Sequence, residues 1–338
     1  MDRHARTMSE PIRKSMNEKR GTTVEETCRS NAPPVQTEKG TPIFRSIGMR
    51  RFSGVLVQQL RRMTYCHQFL SNLSSLTRFR LHTGNVNGYT QLKVRRFETS
   101  AEELSACLDL QLTSNPIAAD FKENSCLLLC DNDHMDNYER DEIKITMKVF
   151  LSAWDVQQIE QAVTSLKEQL KTKDIEVLIL SFPELDLIDG ESEDDEHLRW
   201  FDKVKPLYTY MEKLVETSEI ASIGVSDFSA RQLKEVLGHF DVKPSINHVR
   251  LDGCCQVPPE LQALANDNDV QLLVHNDPTP FPTNNIFKTF CEIDSGCEKP
   301  MCSPLFETTW LSRYSVWVRK RSIMTSKGYI VQFIRKHD

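Results

Sequence analysis

The sequence lacks the segments that mark a membrane or secreted protein. No stretch of its 338 residues approaches the roughly eighteen consecutive apolar residues that a transmembrane helix needs. Its first thirty residues are polar and mixed in charge, without the apolar core of a secretory signal. These absences predict a cytoplasmic protein with no membrane partner.

The ten cysteines lack the spacing of a metal site or a disulfide framework. No Cys-x-x-Cys pair occurs, and Cys291, Cys297 and Cys302 have no pair of histidines with zinc-ligand spacing nearby. We therefore predict no metal site. In a cytosolic chain the thiols are expected to be reduced, and any disulfide to be regulatory or between chains.

Acidic residues are missing from one long region, between Glu38 and Glu98. Residues 1–75 carry 13 Lys and Arg against 6 Asp and Glu, a balance of +7, whereas the remainder carries 29 against 42, a balance of −13. We predict a basic, disordered extension over 1–75; an arm that docks on an acidic partner and a transit-like segment at 44–63 remain as alternatives. Because the rest of the chain is acidic, nucleic-acid binding is not expected.

Strands and helices alternate from residue 143 onward. The patterns predict strands at 143–150, 175–180, 220–225, 245–249 and 270–274. Helices are predicted from the Asp155 cap, over 199–217, from the Ser229 cap to Leu237, and from Pro258-Pro259. The acid-rich stretch 186–196 is expected to be a solvated loop, and the tail from Pro304 to be a helix running into a strand.

These repeats predict a parallel sheet with helices outside it. Residues 76–338 suit one (β/α)8 barrel, which the repeat count and length favour over an open doubly wound sheet. No glycine-rich phosphate loop follows the early strands, which also disfavours a Rossmann domain.

Several stretches resemble the aldo-keto reductases. DEIKITMKVF resembles the strand that carries their catalytic lysine, EVLILSFPEL the strand that ends in their histidine, and YMEKLVETSEIASIGVSDF their helix–strand signature. KPSINHV fits the next strand of the same family. The resemblance implies a barrel of aldo-keto reductase type.

The catalytic positions of that family are largely vacated. Its members use a tyrosine as proton donor, tuned by a lysine and an aspartate, with a histidine to orient the carbonyl. Lys148 matches the lysine, whereas Ser181 stands at the histidine position. The upstream stretch NPIAADFKENS has Asp120 but no tyrosine, and Tyr138 is too close to Lys148 along the chain. We predict no catalytic residue, with Lys148 and Ser181 as vestiges.

The resemblance also points to an eroded cofactor site. Ser226 and Asp227 stand where the family's Ser-Asn contacts the nicotinamide amide, and His248 where a glutamine does so. A carboxylate in place of an amide removes hydrogen-bond donors and adds charge. His275 falls near the position of the aromatic residue that stacks on the ring. No cofactor is predicted to be required, and residual NADP(H) binding stays open, as does phosphate binding by the basic run at 319–327.

Other stretches resemble a non-catalytic branch of the superfamily, the regulatory (modifier, light) subunits of glutamate–cysteine ligase. They are HTGNVNGYTQLKVRRFETSAEELSACL, VRLDGCCQVPPELQALANDNDVQLLVHNDP and WLSRYSVWVRKRSIMTSKGYIVQ. The resemblance implies a heterodimer with the catalytic (heavy) subunit, higher affinity for glutamate, relief of glutathione feedback, and no enzymatic activity of its own.

The resemblance suggests redox-sensitive contacts as well. Two neighbouring cysteines in a strand or turn are expected to point apart, so Cys254 or Cys255 could bond to a partner cysteine, and Cys107 is a second candidate. Two buried thiols is the alternative interpretation. The alternative function is an NADPH-dependent carbonyl reductase or a dinucleotide-sensing barrel.

Overall fold

Nine strands form one mixed β-sheet in the computed structural model, which describes residues 75–114, 124–130, 138–250, 256–282 and 306–336. The strands are β1 (Arg78–His82), β2 (Cys126–Leu128), β3 (Ile143–Leu151), β4 (Ile175–Ser181), β5 (Ile220–Ser226), β6 (Ile246–Arg250), β7 (Gln271–His275), β8 (Phe306–Val318) and β9 (Ile323–Arg335). The helices are α1 (Thr90–Lys93), α2 (Ser100–Ser114), α3 (Val156–Leu170), α4 (Glu193–Glu216), α5 (Ala230–His239) and α6 (Pro259–Asp267). Single 3-10 turns occur at Val86–Gly88 and Arg140–Glu142.

The strands follow the order β2-β1-β9-β8-β3-β4-β5-β6-β7. Strands β3 to β7 are parallel and neighbour one another in chain order, with α3 to α6 connecting them. The β8–β9 hairpin lies antiparallel between β3 and β1, and β2 pairs in parallel with the other edge of β1. The predicted α/β class is confirmed, although this hairpin interrupts the regular eightfold repeat.

Local sequence signals position the helices of the parallel half. Asp155 caps α3 by accepting a hydrogen bond from the Gln157 N–H at 2.9 Å. Ser229 and Gln232 form a capping box at the start of α5, and Pro259 occupies the first turn of α6. The five predicted strands and these helix starts are confirmed to within one or two residues.

Two predictions of local structure are wrong. Helix α4 begins at Glu193, capped by Ser192, so the second half of the acid-rich stretch is helical; its four first-turn acids suit the positive end of the helix dipole. The tail is a β-hairpin without a helix. Its aromatic and β-branched residues alternate with polar ones, and β8 buries every second side chain along most of its length.

The two faces of the sheet have different contents. Odd-numbered residues of β3, such as Met147, pack with α3 and α4 in the main hydrophobic core. The opposite face carries Lys148 and, on the neighbouring strands, a small buried cluster of Val177, Ile179 and Ile246. A Cβ at Gly224 would lie 2.7 Å from Ile179 Cγ1, so glycine lets β4 and β5 fill this inner face without overlap.

The basic extension up to residue 74 and the candidates Asp120, Cys254 and Cys255 lie outside the described residues. Within the described ranges, no helix has the length and apolar character to cross a bilayer. The same ranges contain no group of three or more His, Cys, Asp or Glu side chains that could hold a metal ion.

Candidate functional site

A buried ion cluster occupies the inner face near the carboxyl ends of the parallel strands. The Asp277 carboxylate accepts hydrogen bonds from Lys148 Nζ at 2.8 Å and from both terminal nitrogens of Arg313 at 2.5 and 3.1 Å. The Ser100 hydroxyl donates to the same carboxylate at 2.5 Å. Asp277 and Lys148 are almost fully buried, with 1% and 3% of their side chains exposed.

Distant segments supply the ion cluster. Lys148 and Arg313 face the same side because they are register partners on β3 and β8. Asp277 lies two residues beyond the end of β7, and Ser100 is the first residue of α2. The ion cluster therefore links β3 and β8 to the segment after β7 and to the start of α2.

Charge pairing decides the ionisation of the ion cluster. Burial alone would raise the pKa of Asp277, but the neighbouring Arg313 and Lys148 hold it well below its ordinary value. Burial lowers the pKa of Lys148, and the Asp277 carboxylate offsets part of that effect. Asp277 is thus a carboxylate that compensates two cations.

A second hydrogen-bonded group surrounds Asp227, whose φ of 61° is left-handed, a conformation that Asp and Asn tolerate. Its carboxylate accepts hydrogen bonds from Ser226 Oγ at 2.8 Å, from His275 Nε2 at 3.0 Å and from the Arg250 N–H at 2.9 Å. The Asp277 N–H donates to His275 Nδ1 at 3.0 Å, which leaves the proton of a neutral ring on Nε2. These bonds lower the pKa of Asp227 although burial opposes them.

The His248 ring lies beside this group, 4.6 Å from the His275 ring between centroids. Burial, followed by the charges of Lys148, His275 and Arg313, lowers the pKa of His248 to about 3. Its buried Nδ1 has no hydrogen-bond partner among the described residues. His248 is therefore neutral at physiological pH.

A groove runs along the carboxyl ends of the strands next to these groups. Two adjoining cavities of about 500 and 400 Å³ share Ser181, Phe182, Pro183, Glu184 and Thr279, and we call them together the carboxyl-end groove. Glu184, Glu196 and Asp227 line it, and no lysine or arginine of the described residues does. The groove is thus aromatic and proline-rich, with acidic charge only.

Comparison with known proteins gives the family. Glutamate–cysteine ligase regulatory subunits from Rattus norvegicus and Homo sapiens are 33% and 32% identical to this chain. The alignments cover 78% and 76% of this chain and 95% and 92% of those proteins. The chain belongs to the glutamate–cysteine ligase regulatory subunit family.

Part of the chain is also similar to the aldo-keto reductases. The model of the "Aldo/keto reductase family" matches residues 127–276, which confirms the predicted type. Among solved structures, an aldo-keto reductase enzyme from a Medee basin deep-sea metagenome library is 20% identical, with a TM-score of 0.33 over 40% of this chain and 44% of that one.

For this member of the regulatory subunit family, the structure shows what surrounds Lys148 and Ser181, the two residues predicted to be vestigial. The Lys148 ammonium contacts the Asp277 carboxylate and lies 5.0 Å from the centre of the Phe150 ring, with no tyrosine hydroxyl bonded to it in the described part of the chain. Ser181 ends β4 and lines the carboxyl-end groove. Proton transfer by a lysine-tuned tyrosine therefore has no described donor here.

The described residues do not fit a dinucleotide in the carboxyl-end groove. A polyanionic cofactor needs cations or free N–H groups, whereas the groove offers carboxylates, and Ser226 and Asp227 already bond to each other. The basic run is at the opposite end of the sheet, where Arg319 contacts Glu176 and the Ile143 carbonyl. Lys327 pairs with Glu103. The interpretation of this run as a phosphate site is not supported.

Cys107 is a poor candidate for an exposed thiol. Its side chain is fully buried in α2, and burial raises its pKa to about 12, far from the range of a reactive thiolate. Its role in a link between chains stays a prediction that its position disfavours.

Sequence reasoning missed Asp277, Arg313 and Ser100. Asp277 carried a usable signal, because a polar residue just past the carboxyl end of a barrel strand is a typical functional position. Arg313 was hidden by the wrong prediction of a helical tail. Once β8 is recognised as a strand, Arg313 becomes a charged residue on a largely buried strand, and such a residue needs a partner of opposite charge.

Proposed function

We propose that this protein is a non-catalytic regulatory subunit that binds the catalytic subunit of glutamate–cysteine ligase as a heterodimer. In this role it raises the affinity of the holoenzyme for glutamate and relieves inhibition by glutathione. The observation that carries the proposal is the alignment over most of both chains with subunits named for this role.

The geometry of the carboxyl-end groove supports a non-catalytic role. Lys148 is held in a three-way ion cluster, and Ser181 cannot supply an imidazolium near neutral pH. The acidic lining of the groove also disfavours a polyanionic cofactor. No part of the proposed regulation depends on a dinucleotide.

Regulation by such a subunit requires preferential binding. If it binds the glutamate-competent state of the catalytic subunit more tightly than the glutathione-inhibited state, each ligand and the regulatory subunit must affect each other's affinity by the same factor. A coupling of about 1–3 kcal/mol corresponds to roughly 5- to 150-fold in binding. A bond from Cys254 or Cys255 to the partner would make part of this coupling sensitive to reductant.

The test is a glutamate titration of the catalytic subunit with and without the full chain, in oxidising and in reducing buffer. We expect half-maximal rate at a lower glutamate concentration and half-inhibition at a higher glutathione concentration when the chain is present. A Cys254→Ser/Cys255→Ser variant should lose only the part of the effect that reductant also removes. Identical curves under all conditions would refute the proposal.

The second test concerns carbonyl reduction. Consumption of NADPH with a panel of aldehydes should stay at background, because no tyrosine hydroxyl of the described residues is bonded to Lys148 to protonate an alkoxide. Turnover that disappears in Lys148→Met, in a variant that remains folded, would establish the reductase instead.

A further inference from the structure

The inner face of the sheet holds a second cavity, separate from the carboxyl-end groove. It has a volume of about 520 Å³, within the range of small-molecule sites. Its lining includes Lys144, Lys148, His248, Arg313, Trp317 and Lys327. We call it the amino-end cavity.

The position of the amino-end cavity follows from the strand directions. Lys144 and Thr146 lie in the first half of β3, and Gln271 is the first residue of the parallel strand β7. Trp317 lies near the end of β8, which runs antiparallel to β3 and pairs there with Lys144. The cavity is therefore near the amino ends of the parallel strands, and the ion cluster forms its inner limit.

The charge around this cavity has one sign. Four cationic side chains line it and no aspartate or glutamate of the described residues does. Lys148 and Arg313 share a single carboxylate, that of Asp277, while Lys327 is paired with Glu103. The Lys144 side chain is exposed and makes no hydrogen bond or ion pair within the described ranges. Asp227, which follows the carboxyl end of β5, already accepts bonds from Ser226, His275 and Arg250.

Apolar side chains form part of the remaining wall of the cavity. Ile179 and Ile246 are buried side chains of the inner cluster. The Trp317 indole is oriented by a hydrogen bond from its Nε1 to Ser315 Oγ at 3.1 Å. Neutral His248 adds an imidazole whose Nδ1 is unpartnered in the described structure and can donate to an acceptor in one of its two tautomers.

We propose that the amino-end cavity binds a small organic anion, with its anionic head group near Lys144, Lys148 and Arg313 and its apolar body against Ile179, Ile246 and Trp317. The proposal is independent of the proposed function, because it rests on charge and shape at the end of the sheet away from the carboxyl-end groove. A carboxylate, sulfonate or phosphate head would satisfy the same cations.

The test uses 8-anilinonaphthalene-1-sulfonate, which combines an anionic head with an aromatic body and fluoresces when it leaves water. The full-length chain is titrated at low ionic strength, and N-phenyl-1-naphthylamine serves as the uncharged analogue. Lys144→Glu is the test variant, since Lys144 is exposed and its replacement should not disturb folding. Lys234→Glu makes the same charge change at an exposed position of α5.

We expect one sulfonate probe to bind per chain, with affinity reduced about tenfold or more by Lys144→Glu and unchanged by Lys234→Glu. The neutral analogue should bind more weakly than the sulfonate. Displacement by 2-naphthoate and by 2-naphthyl phosphate then distinguishes the head groups. Equal binding of the neutral analogue, equal effects of the two variants, or no saturable binding would each overturn the proposal.

Discussion

The carboxyl-end groove and the amino-end cavity are lined by side chains of opposite charge. The groove is lined by Glu184, Glu196 and Asp227 without a described cation, whereas the cavity is lined by three lysines and an arginine without a described acid. Barrel enzymes place chemistry at the carboxyl ends of their strands. Among the described residues, the groove at that end has no cation in its lining and no tyrosine hydroxyl bonded to Lys148, whereas the cations line the cavity at the other end.

The ion cluster between the two regions explains this difference. Its carboxylate, Asp277, lies at the carboxyl end and satisfies Lys148 and Arg313 there. Because one carboxylate compensates two cations, a net positive charge remains on the side that faces the amino-end cavity. Lys148, which resembles a catalytic lysine, therefore forms part of the boundary between the groove and the cavity.

The largest effect is expected from removing the Asp277 carboxylate of the ion cluster. Asp277→Ala leaves two cations, one of them almost fully buried, without their carboxylate, which should lower the free energy of unfolding by about 3–5 kcal/mol. Urea unfolding measures this loss in the free energy of unfolding. Asp194→Ala removes an exposed partner of Arg231 and should cost less than about 1 kcal/mol. Similar losses of unfolding free energy in both variants would contradict the conclusion that the ion cluster stabilises the fold.

A smaller effect is expected from overfilling the inner face. In Gly224→Ala the new Cβ would lie 2.7 Å from Ile179 Cγ1, so we expect a loss of about 1–3 kcal/mol in unfolding free energy. Gly238→Ala is the matched control, because nothing lies within 4 Å of a Cβ there and alanine favours the helix by about 0.5–1 kcal/mol. A stable Gly224→Ala variant would mean that the space between the two regions is not closely packed.

The pKa of His248 should report on burial and, to a smaller extent, on the charge around the amino-end cavity. The unfolded chain takes up a proton near pH 6.5 at this residue, whereas the folded chain stays neutral down to about pH 3, so stability falls as the pH is lowered through this window. Because the ring is partly exposed, we expect a contribution of only about 1 kcal/mol. NMR titration should show a neutral ring at pH 5, and a bound anion should raise its pKa. A ring that is half-protonated near pH 6.5 would contradict the cationic surroundings.

The smallest effect is expected at the carboxyl-end groove. Glu184→Gln removes an acid from its lining but should change the affinity for the sulfonate probe by less than about twofold, because the probe binds at the other end. Fluorescence titration in parallel with Lys144→Glu measures the difference. If Glu184→Gln alters binding as strongly as Lys144→Glu does, the probe occupies the groove and the assignment of the two ends is wrong.

Local signals in the sequence were sufficient for the parallel half of the fold. Asp155, Ser229 and Pro259 mark helix starts by chemistry that acts within a few residues, and the continuous apolar runs of β4 and β5 identify buried strands. The prediction failed where two signals competed. The acids after Ser192 suit a loop and also a first helical turn, and the tail's mixed aromatic pattern fitted a helix and also a strand.

The sequence by itself determined the α/β class, the family and the positions of the parallel strands, since each depends on residue type or short-range spacing. Only the tertiary structure decided that Lys148 and Arg313 share the carboxylate of Asp277, although the two cations are 165 positions apart along the chain. It also decided that acids line the carboxyl-end groove and that cations line the amino-end cavity. Such pairings depend on strand order and register, and the insertion of the β8–β9 hairpin between β1 and β3 sets both for Arg313.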